Sequence, residues 1–274
     1  MKVLLVGGAV RDMFLNRRPN DFDYVVQGAT LDQFKASYPN ARQVGKDFPV
    51  FLVDGEEYAF ARTEQSTGPK HTNFTVNTDE VSLDDDLMRR DLTINALAMC
   101  PESSEIYGSQ QGISDANNKI LRHVSPAFTD DPLRVFRVAR LASQLSGFVV
   151  AKETIEVMRS MAQELESLPA ERVFGELRKA LASPAPHRFF EVLQESGSLD
   201  YWFPEIAALV GVPAGKGRHT GEKDTFHHTM LVLQRVASSD PCHRFVALCH
   251  DLGKALSENP PFHAGHEKVG VPLV

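Results

Sequence analysis

Apolar and polar residues follow different patterns in the two halves of the chain. Short apolar runs of strand length lie at residues 2–6, 24–26, 50–53 and 58–61, and helix-like stretches separate them. Short apolar runs bounded by turn residues favour β-strands. We therefore expect a mixed α and β region over roughly the first 120 residues.

From residue 131 onward the apolar residues recur with a helical period. Pro132 follows an acidic pair, as at the start of a helix, and further helices are predicted over residues 154–168, 170–182 and 187–196. Proline or glycine follows the end of each, which is typical of helix termination. A helical region is therefore expected after the mixed head.

Two segments interrupt these patterns. Residues 62–79 are rich in Thr, Ser, Gly, Asn and Lys, which predicts a surface loop able to close over a substrate. Residues 212–224 carry Gly, Lys, Arg and Pro and separate the middle helices from a histidine-rich C-terminal part.

Composition and length narrow the class of protein. With 274 residues, 42% of them apolar, the chain can bury a substantial core and form two or three domains. No apolar stretch approaches the ~20 residues that span a bilayer, and the N-terminus lacks the pattern of a signal peptide. We expect a cytoplasmic protein without membrane association.

Cysteine usage and charge add two further limits. Cys100, Cys242 and Cys249 are odd in number and lack a Cys-x-x-Cys spacing, so neither a disulfide framework nor a cysteine zinc site is indicated. The net charge of −7 argues against broad nucleic-acid coating. It leaves room for RNA binding through local clusters of arginine.

The first apolar run ends in a glycine pair, residues 7–12 (GGAVRD). Such glycines let the backbone turn beside a ligand, and a helix starting near Ala9 would offer free N–H groups to a phosphate. Asp21 and Asp23, expected on the next strand, would point to the same face. Two carboxylates beside a triphosphate can hold Mg²⁺ ions for phosphoryl transfer.

Each half of that site has an alternative interpretation. A lone Gly-Gly turn is common, and this one lacks the third glycine of a dinucleotide fingerprint and the Gly-Lys-Ser/Thr of a P-loop. The Asp21 and Asp23 pair alone could be the solvated face of an edge strand. Their combination at this spacing favours the phosphate-binding interpretation.

A row of arginines follows at the start of the helical region. Asp131 and Arg134 are one helical turn apart, and Arg137 and Arg140 continue the row. A carboxylate that accepts from an exocyclic amino group and a guanidinium that donates to a ring nitrogen would accept cytosine and adenine and reject uracil and guanine. The alternative is that Asp131 is a helix N-cap and the arginines form a solvated face.

Four motifs occur in the order seen in class II CCA-adding tRNA nucleotidyltransferases. They are residues 7–12 (GGAVRD), 21–23 (DFD), 89–96 (RRDLTINA) and 131–137 (DPLRVFR). The sequence resembles this family over nearly its whole length, and it is most similar to the bacterial branch that ends in a histidine-aspartate (HD) phosphohydrolase domain.

The resemblance implies an α+β fold with three parts. A nucleotidyltransferase head with a mixed sheet, similar to the DNA polymerase β superfamily, would span residues 1–125. An all-helical neck and body would span residues 126–210, and a partial helical HD domain residues 225–274.

The resemblance also implies the activity, its ligands and its site residues. The family adds and repairs the 3′-terminal CCA of tRNA from CTP and ATP without a template, with Mg²⁺ as cofactor. Nucleotide contacts would come from Gly8, Arg11 and Arg90, metal ligation and catalysis from Asp21 and Asp23, base reading from Asp131 and Arg134, and assistance from Arg137 and Arg140. One departure is Asp130, where the family usually has Glu, which weakens any role for that position.

A separate histidine pattern lies near the C-terminus. His228 followed by His250 and Asp251 resembles an HD site, in which a divalent ion such as Ni²⁺, Mn²⁺ or Mg²⁺ activates water. The neighbouring His227 competes with His228 as a ligand. Since the family continues past the position of Val274, phosphatase, 2′-nucleotidase or 2′,3′-cyclic phosphodiesterase activity is expected of the longer parent protein.

Three other functions compete with CCA addition. A bacterial poly(A) polymerase shares the head motifs, and a non-catalytic RNA-binding module could retain them. A dinucleotide-dependent oxidoreductase is disfavoured because the third glycine is missing. The expected partners are the tRNA 3′ end, CTP and ATP, and either a monomer or a homodimer is compatible with the sequence.

Overall fold

The computed structural model describes residues 1–44, 50–61, 63–66, 74–77, 81–215 and 221–274, with only the backbone described at 63–66 and 74–77. The chain divides into two compact units, Met1–Asp131 and Pro132–Val274. The first unit is a mixed sheet with helices, and the second is predominantly helical. This confirms the expected α+β class, whereas the bounds of the three expected domains stay a prediction.

The first unit contains most of the strands. They are β1 (Lys2–Val6), β2 (Asp23–Gln27), β3 (Arg42–Val44), β4 (Val50–Val53), β5 (Glu56–Phe60), β6 (Thr63–Ser66), β7 (Phe74–Asn77), β8 (Leu97–Met99), β9 (Ile106–Gly108) and β10 (Ile120–Leu121). The bounds of β1 and β4 agree with the apolar runs in the sequence.

Seven of the described strands form one mixed sheet in the order β3-β4-β5-β2-β1-β8-β9. The pair β2 and β5 is parallel, and the other neighbouring pairs are antiparallel. The antiparallel register of β1 and β2 places Val6 opposite Asp23. The turn after β1 and the start of β2 therefore lie at the same edge of the sheet.

Strands β6 and β7 form a separate antiparallel hairpin in which Thr63 pairs with Asn77. The expectation of a continuous loop over residues 62–79 is wrong for these two strands. Thr and Val favour extended backbone, so a polar segment can still form a strand. The rest of that segment, and with it the expectation of closure over a substrate, lies outside the described residues.

Both faces of the large sheet are covered. Val6 packs with Leu87 on one face, whereas its neighbour Leu5 packs with Val10 on the other. This alternation follows from the two-residue period of a strand. The helices of this unit are α1 (Gly8–Phe14), α2 (Leu31–Ser37), α3 (Leu83–Met88) and α4 (Gln110–Asn118).

The second unit is built mainly of helices. They are α5 (Leu133–Gln144), α6 (Lys152–Ser160), α7 (Ala170–Leu181), α8 (His187–Glu195), α9 (Pro204–Ala207), α10 (Thr225–Arg235), α11 (Pro241–Cys249) and α12 (His266–Gly270), with a short strand β11 (Val149–Val150). Helix α5 packs against α7 and α8, and its Phe136 is fully buried beside Phe189.

Two helix predictions need correction. The single helix expected over residues 154–168 is α6 followed by a 3-10 helix, Ala162–Ser167. The apolar period continues through the break, so periodicity alone does not reveal it. Helix α5 begins at Leu133, and its N-cap residue is Pro132. The alternative interpretation, in which Asp131 is the N-cap, is therefore off by one position.

Two expectations from composition can be compared with the structure. Cys100, Cys242 and Cys249 are free thiols. Within the described part of the chain, every helix is too short or too polar to cross a lipid bilayer.

Candidate functional site

The glycine turn lies at the edge of the sheet where β1 ends and β2 begins. Gly7 has a φ of 71°, in the left-handed region, and its N–H donates to the carbonyl of Leu97 over 3.1 Å. A Cβ atom at Gly7 would lie 3.1 Å from Nη1 of Arg90. Glycine is therefore needed here both for the turn and for the close approach of the arginine.

The two predicted metal-binding carboxylates differ in local structure. Asp23 is the first residue of β2, whereas Asp21 precedes the strand in non-repetitive backbone. The expectation that both lie on the strand is therefore wrong for Asp21, because β2 begins only where its pairing with β1 begins. Both residues are exposed to solvent.

The pKa of Asp23 is raised above its ordinary value. Loss of hydration beside the sheet is the main cause, and the neighbouring Asp21 adds to it, while Arg90 acts in the opposite direction. Two carboxylates close enough to repel each other fit a divalent cation, since the cation would relieve that repulsion. The donor set thus fits the Mg²⁺ expected from the sequence.

Arg90 is held by a buried carboxylate that the sequence analysis did not identify. Asp86 on α3 is 1% exposed and accepts hydrogen bonds from Arg89 over 2.7 Å and from Arg90 over 3.0 Å. The two arginines outweigh the effect of burial, so the pKa of Asp86 is lowered although burial alone would raise it. The available signal was an acid three and four residues before two arginines.

These groups share one depression of the first unit. Its polar lining includes Asp23, Glu57, Asp86, Arg89 and Arg90. Asp23 and Val25 point to the same side of the sheet as α3, because they are two residues apart on β2. The residues assigned from separate sequence motifs are thus brought to one edge of the sheet.

Gly8 and Arg11 lie at the start of α1 beside this edge. Arg11 is 9% exposed, and its guanidinium contacts the carboxylate of Asp12 over 2.9 Å. A Cβ atom at Gly8 would lie 3.5 Å from Nη2 of Arg11, which is an ordinary contact distance. The structure therefore requires glycine at position 7 more strictly than at position 8.

The row of arginines is present on α5. Arg134, Arg137 and Arg140 are partly exposed, and the residues between them are buried. Arg140 donates to Glu176 and, over 2.5 Å, to Gln144, so its guanidinium links α5 to α7. Asp131 has extended backbone at the end of the first unit, and Arg134 belongs to the second.

His228, His250 and Asp251 come together in the second unit, and we call them the C-terminal cluster. Two imidazole nitrogens and one carboxylate oxygen of this cluster lie within 4.8 Å of one another. His227, the competing candidate, instead lies exposed near the backbone of Lys223.

The imidazoles of the cluster have defined orientations. Nδ1 of His228 lies 2.9 Å from a carboxylate oxygen of Glu222, and Nδ1 of His250 lies 2.7 Å from the carbonyl of Ala247. Since both partners can only accept, each Nδ1 carries a proton, and Nε2 is the atom through which each ring could bind a metal. Nε2 of His250 lies 3.0 Å from Oδ2 of Asp251. Metal-binding histidines in proteins are oriented in this way.

Two further residues contact Asp251. Nζ of Lys254 lies 2.8 Å from Oδ2 of Asp251, and Nε2 of His266 lies 3.2 Å from Oδ1. Burial alone would raise the pKa of Asp251, but His250 and Lys254 more than offset it and hold the pKa well below its usual range. A further histidine, His263, is buried and contacts the carbonyl of Pro213 over 2.6 Å.

Comparison with known families agrees with this arrangement. The model described as "Poly A polymerase head domain" matches residues 3–122. A second model, "Probable RNA and SrmB-binding site of polymerase A", matches residues 147–209. The first covers the sheet edge just described, and the second covers α6 to α9.

A curated relative identifies the family more closely. The multifunctional CCA protein of Pasteurella multocida (strain Pm70) is 50% identical over 287 residues, which cover 99% of this chain and 67% of the relative. The chain belongs to the multifunctional CCA protein family. As a member of that family it is a nucleotidyltransferase of the CCA-adding type.

Solved structures of CCA-adding enzymes share the fold. One, described as "The structure of CCA-adding enzyme apo form II", has a TM-score of 0.65 at 24% identity and covers 97% of this chain and 62% of its own. Another is the Thermotoga maritima CCA-adding enzyme complexed with tRNA_CCA, with a TM-score of 0.65 at 22% identity, covering 94% of this chain and 59% of its own. The chain thus spans about two thirds of the CCA proteins it matches.

Proposed function

We propose that this protein adds and repairs the 3′-terminal CCA of tRNA, using CTP and ATP and no nucleic-acid template. The observation that carries the proposal is the meeting of the glycine turn, Asp23 and Arg90 at one sheet edge. The 50% identical multifunctional CCA protein and the fold shared with solved CCA-adding enzymes support the reaction class. We also propose that the protein acts in the cytoplasm, as a monomer or a homodimer.

The chain's own residues would bind and orient the nucleotide. Arg11 and Arg90 carry the positive charge that attracts the triphosphate, and Gly8 lets it approach the backbone. Asp21 and Asp23 would hold Mg²⁺, which when bound supplies charge that stabilises the developing negative charge on oxygen.

The reaction follows from that placement. The tRNA 3′-hydroxyl oxygen forms a bond to the α-phosphorus, the bond from that phosphorus to the bridging oxygen breaks, and pyrophosphate leaves with the electron pair. The hydroxyl proton passes to solvent. Positioning and electrostatic stabilisation account for the catalysis, as in other phosphoryl transfers.

Selection of the base would come from Asp131, the last residue of the first unit, and from Arg134 on α5. Asp131 would accept from the exocyclic amino group of cytosine or adenine, and Arg134 would donate to the adjacent ring nitrogen. Arg137 would assist, and Arg140 would hold the helix through its contact with Glu176. Replacing Arg134 by Ala is expected to reduce discrimination against UTP.

One assay tests the proposal against its alternatives. The protein is incubated with tRNA lacking CCA, with CTP and ATP, and the 3′ ends are sequenced. Addition of C, C and A supports the proposal, whereas a run of adenosine would identify a poly(A) polymerase. No release of pyrophosphate, with RNA binding intact, would identify a non-catalytic RNA-binding module.

We further propose that the C-terminal cluster binds a divalent metal and that this metal supports phosphohydrolase activity. The orientation of the His228 and His250 rings supports this second candidate. Hydrolysis of 2′,3′-cyclic AMP in the presence of Ni²⁺, Mn²⁺ or Mg²⁺ tests it. Equal activity after replacing His228 by Ala would contradict it.

A further inference from the structure

A buried polar network lies behind the guanidinium of Arg11. Nη1 of Arg11 donates to Oδ1 of Asn95 over 2.8 Å, although the two residues are 84 positions apart in the sequence. The opposite side of the group, Nε and Nη2, contacts Asp12 over 2.9 Å. A planar guanidinium held on two sides has a fixed orientation.

The amide of Asn95 is itself oriented by Asp91. Its Nδ2 donates to Oδ1 of Asp91 over 3.0 Å, and the same oxygen accepts from the N–H of Leu92 over 2.8 Å. Because a carboxylate can only accept, the amide nitrogen must face Asp91 and the amide oxygen must face Arg11. Asp91 and Asn95 are 5% and 7% exposed, so water competes little for these bonds.

We propose that Asn95, oriented by Asp91, is a positioning residue that holds Arg11 for binding the nucleotide triphosphate. This inference rests on the proposed function and extends it to a residue outside the nucleotide contacts. The choice of an amide has a physical reason. A carboxylate at position 95 would repel Asp91 and add a second negative partner to Arg11 beside Asp12, whereas a neutral amide orients the guanidinium without adding negative charge near the phosphates.

The test compares nucleotide affinity in variants of this network. Replacing Asn95 by Ala is expected to raise the KM for CTP about 10-fold with a smaller change in kcat, because it removes binding in the ground state. Calorimetric binding of CTP without tRNA should weaken by a similar factor. Asp91→Asn, which removes the constraint on the amide, should raise the KM by a smaller factor and serves if Asn95→Ala does not fold.

A matched control lies in the same short 3-10 helix, Thr93–Asn95. Thr93 makes a buried hydrogen bond to Asp115 over 2.7 Å. Thr93→Val should lower the Tm as Asn95→Ala does and leave the KM for CTP within about twofold of the unmodified protein, since Thr93 contacts Asp115 rather than Arg11. An equal rise in KM would show that any local destabilisation suffices and would overturn the inference.

A double-mutant cycle identifies the route of the effect. If Asn95 acts through Arg11, the variant with both residues replaced by Ala should bind CTP no more weakly than Arg11→Ala alone. Fully additive effects, or an unchanged KM in folded Asn95→Ala, would overturn the inference. Failure of the unmodified protein to add CMP to tRNA would overturn the proposed function, a result obtained without any Asn95 variant.

Discussion

Asp21 and Asp23 of the head and the C-terminal cluster both suit a divalent cation, but the charges at the two places are balanced in opposite ways. The pKa of Asp23 is raised, since loss of hydration and Asp21 outweigh Arg90. The pKa of Asp251 is lowered, because His250 and Lys254 outweigh its burial. The head therefore leaves negative charge for a cation to neutralise, whereas the cluster supplies its own positive partners.

This difference predicts different dependence on metal. At the head, a bound cation would replace the mutual repulsion of two carboxylates with attraction. At the cluster, a cation would have to compete with Lys254, which lies 2.8 Å from Asp251. We therefore expect Mg²⁺ to bind more tightly at the head, where it would bind together with the nucleotide, than at the C-terminal cluster.

The largest expected effect is at the head. Asp23→Ala should reduce the rate of nucleotide addition at least ~100-fold, since it removes a ligand of the Mg²⁺ ion whose charge would stabilise the transition state. The measurement is single-turnover addition of CMP to tRNA lacking CCA. Asp32→Asn, an exposed acid on α2, is the control and should leave the rate unchanged. A rate in Asp23→Ala within a fewfold of that of the unmodified protein would contradict a cation site at the head, and with it the comparison with the C-terminal cluster.

The next effect concerns the support of the head arginines. Asp86→Asn should lower the free energy of unfolding by about 2 kcal/mol at pH 7. Breaking a fully buried ion pair would cost more, but Arg89 and Arg90 are about one-fifth exposed, so solvent screens their interaction with Asp86. Urea unfolding measures it. The neighbouring exposed Asp85, changed to Asn, is the matched control and should cost less.

The pH dependence of the same variant gives an independent check. The pKa of Asp86 is lower in the folded protein than in the unfolded chain, so its contribution is present above the unfolded pKa and is lost as pH falls through the folded value. The stability difference between the unmodified protein and Asp86→Asn should therefore shrink below about pH 4. A difference that grew on acidification would contradict the assigned charge state.

The smallest predicted effect is at the cluster. Asp251→Asn should weaken binding of Mn²⁺ to this unit at least about 10-fold. Mutating a group that only hydrogen-bonds to a metal ligand weakens binding by about this factor, and a direct ligand should matter at least as much. Calorimetry with Mn²⁺ alone measures it, and CMP addition by the head should stay normal. Asp200→Asn, an exposed acid of the same unit, is the control. Loss of CMP addition in Asp251→Asn would show that the two regions are not independent.

The sequence predicted those elements whose signal is local. The bounds of β1 and β4 follow from apolar runs between turn residues, and the row of Arg134, Arg137 and Arg140 follows from helical spacing. The hairpin of β6 and β7 was missed because most of its paired residues are polar and several residues separate the two strands. Local pattern carries little information about such pairing.

The supporting residues of the site depend on tertiary contacts. Asn95 meets Arg11 across 84 positions, and Asp86 holds Arg90 close to Gly7. The contact of Asn95 with Arg11 and the approach of Arg90 to Gly7 cannot be read from spacing, because they depend on strand order in the sheet. The contact of Asp86 with Arg90 is local and follows from their spacing of four residues. The motif residues themselves were found because their types are those that phosphate chemistry requires.

The register of β1 and β2 has a consequence for how this fold tolerates insertions. Successive side chains on β2 alternate between the two faces, so deleting or inserting one residue within the strand would turn Asp23 away from Arg90 and toward the side of α1. Residues 15–20, which precede Asp21, lie outside the strands and are not subject to this alternation. Natural length variation at this edge should therefore accumulate around residues 15–20 and spare the paired positions on either side.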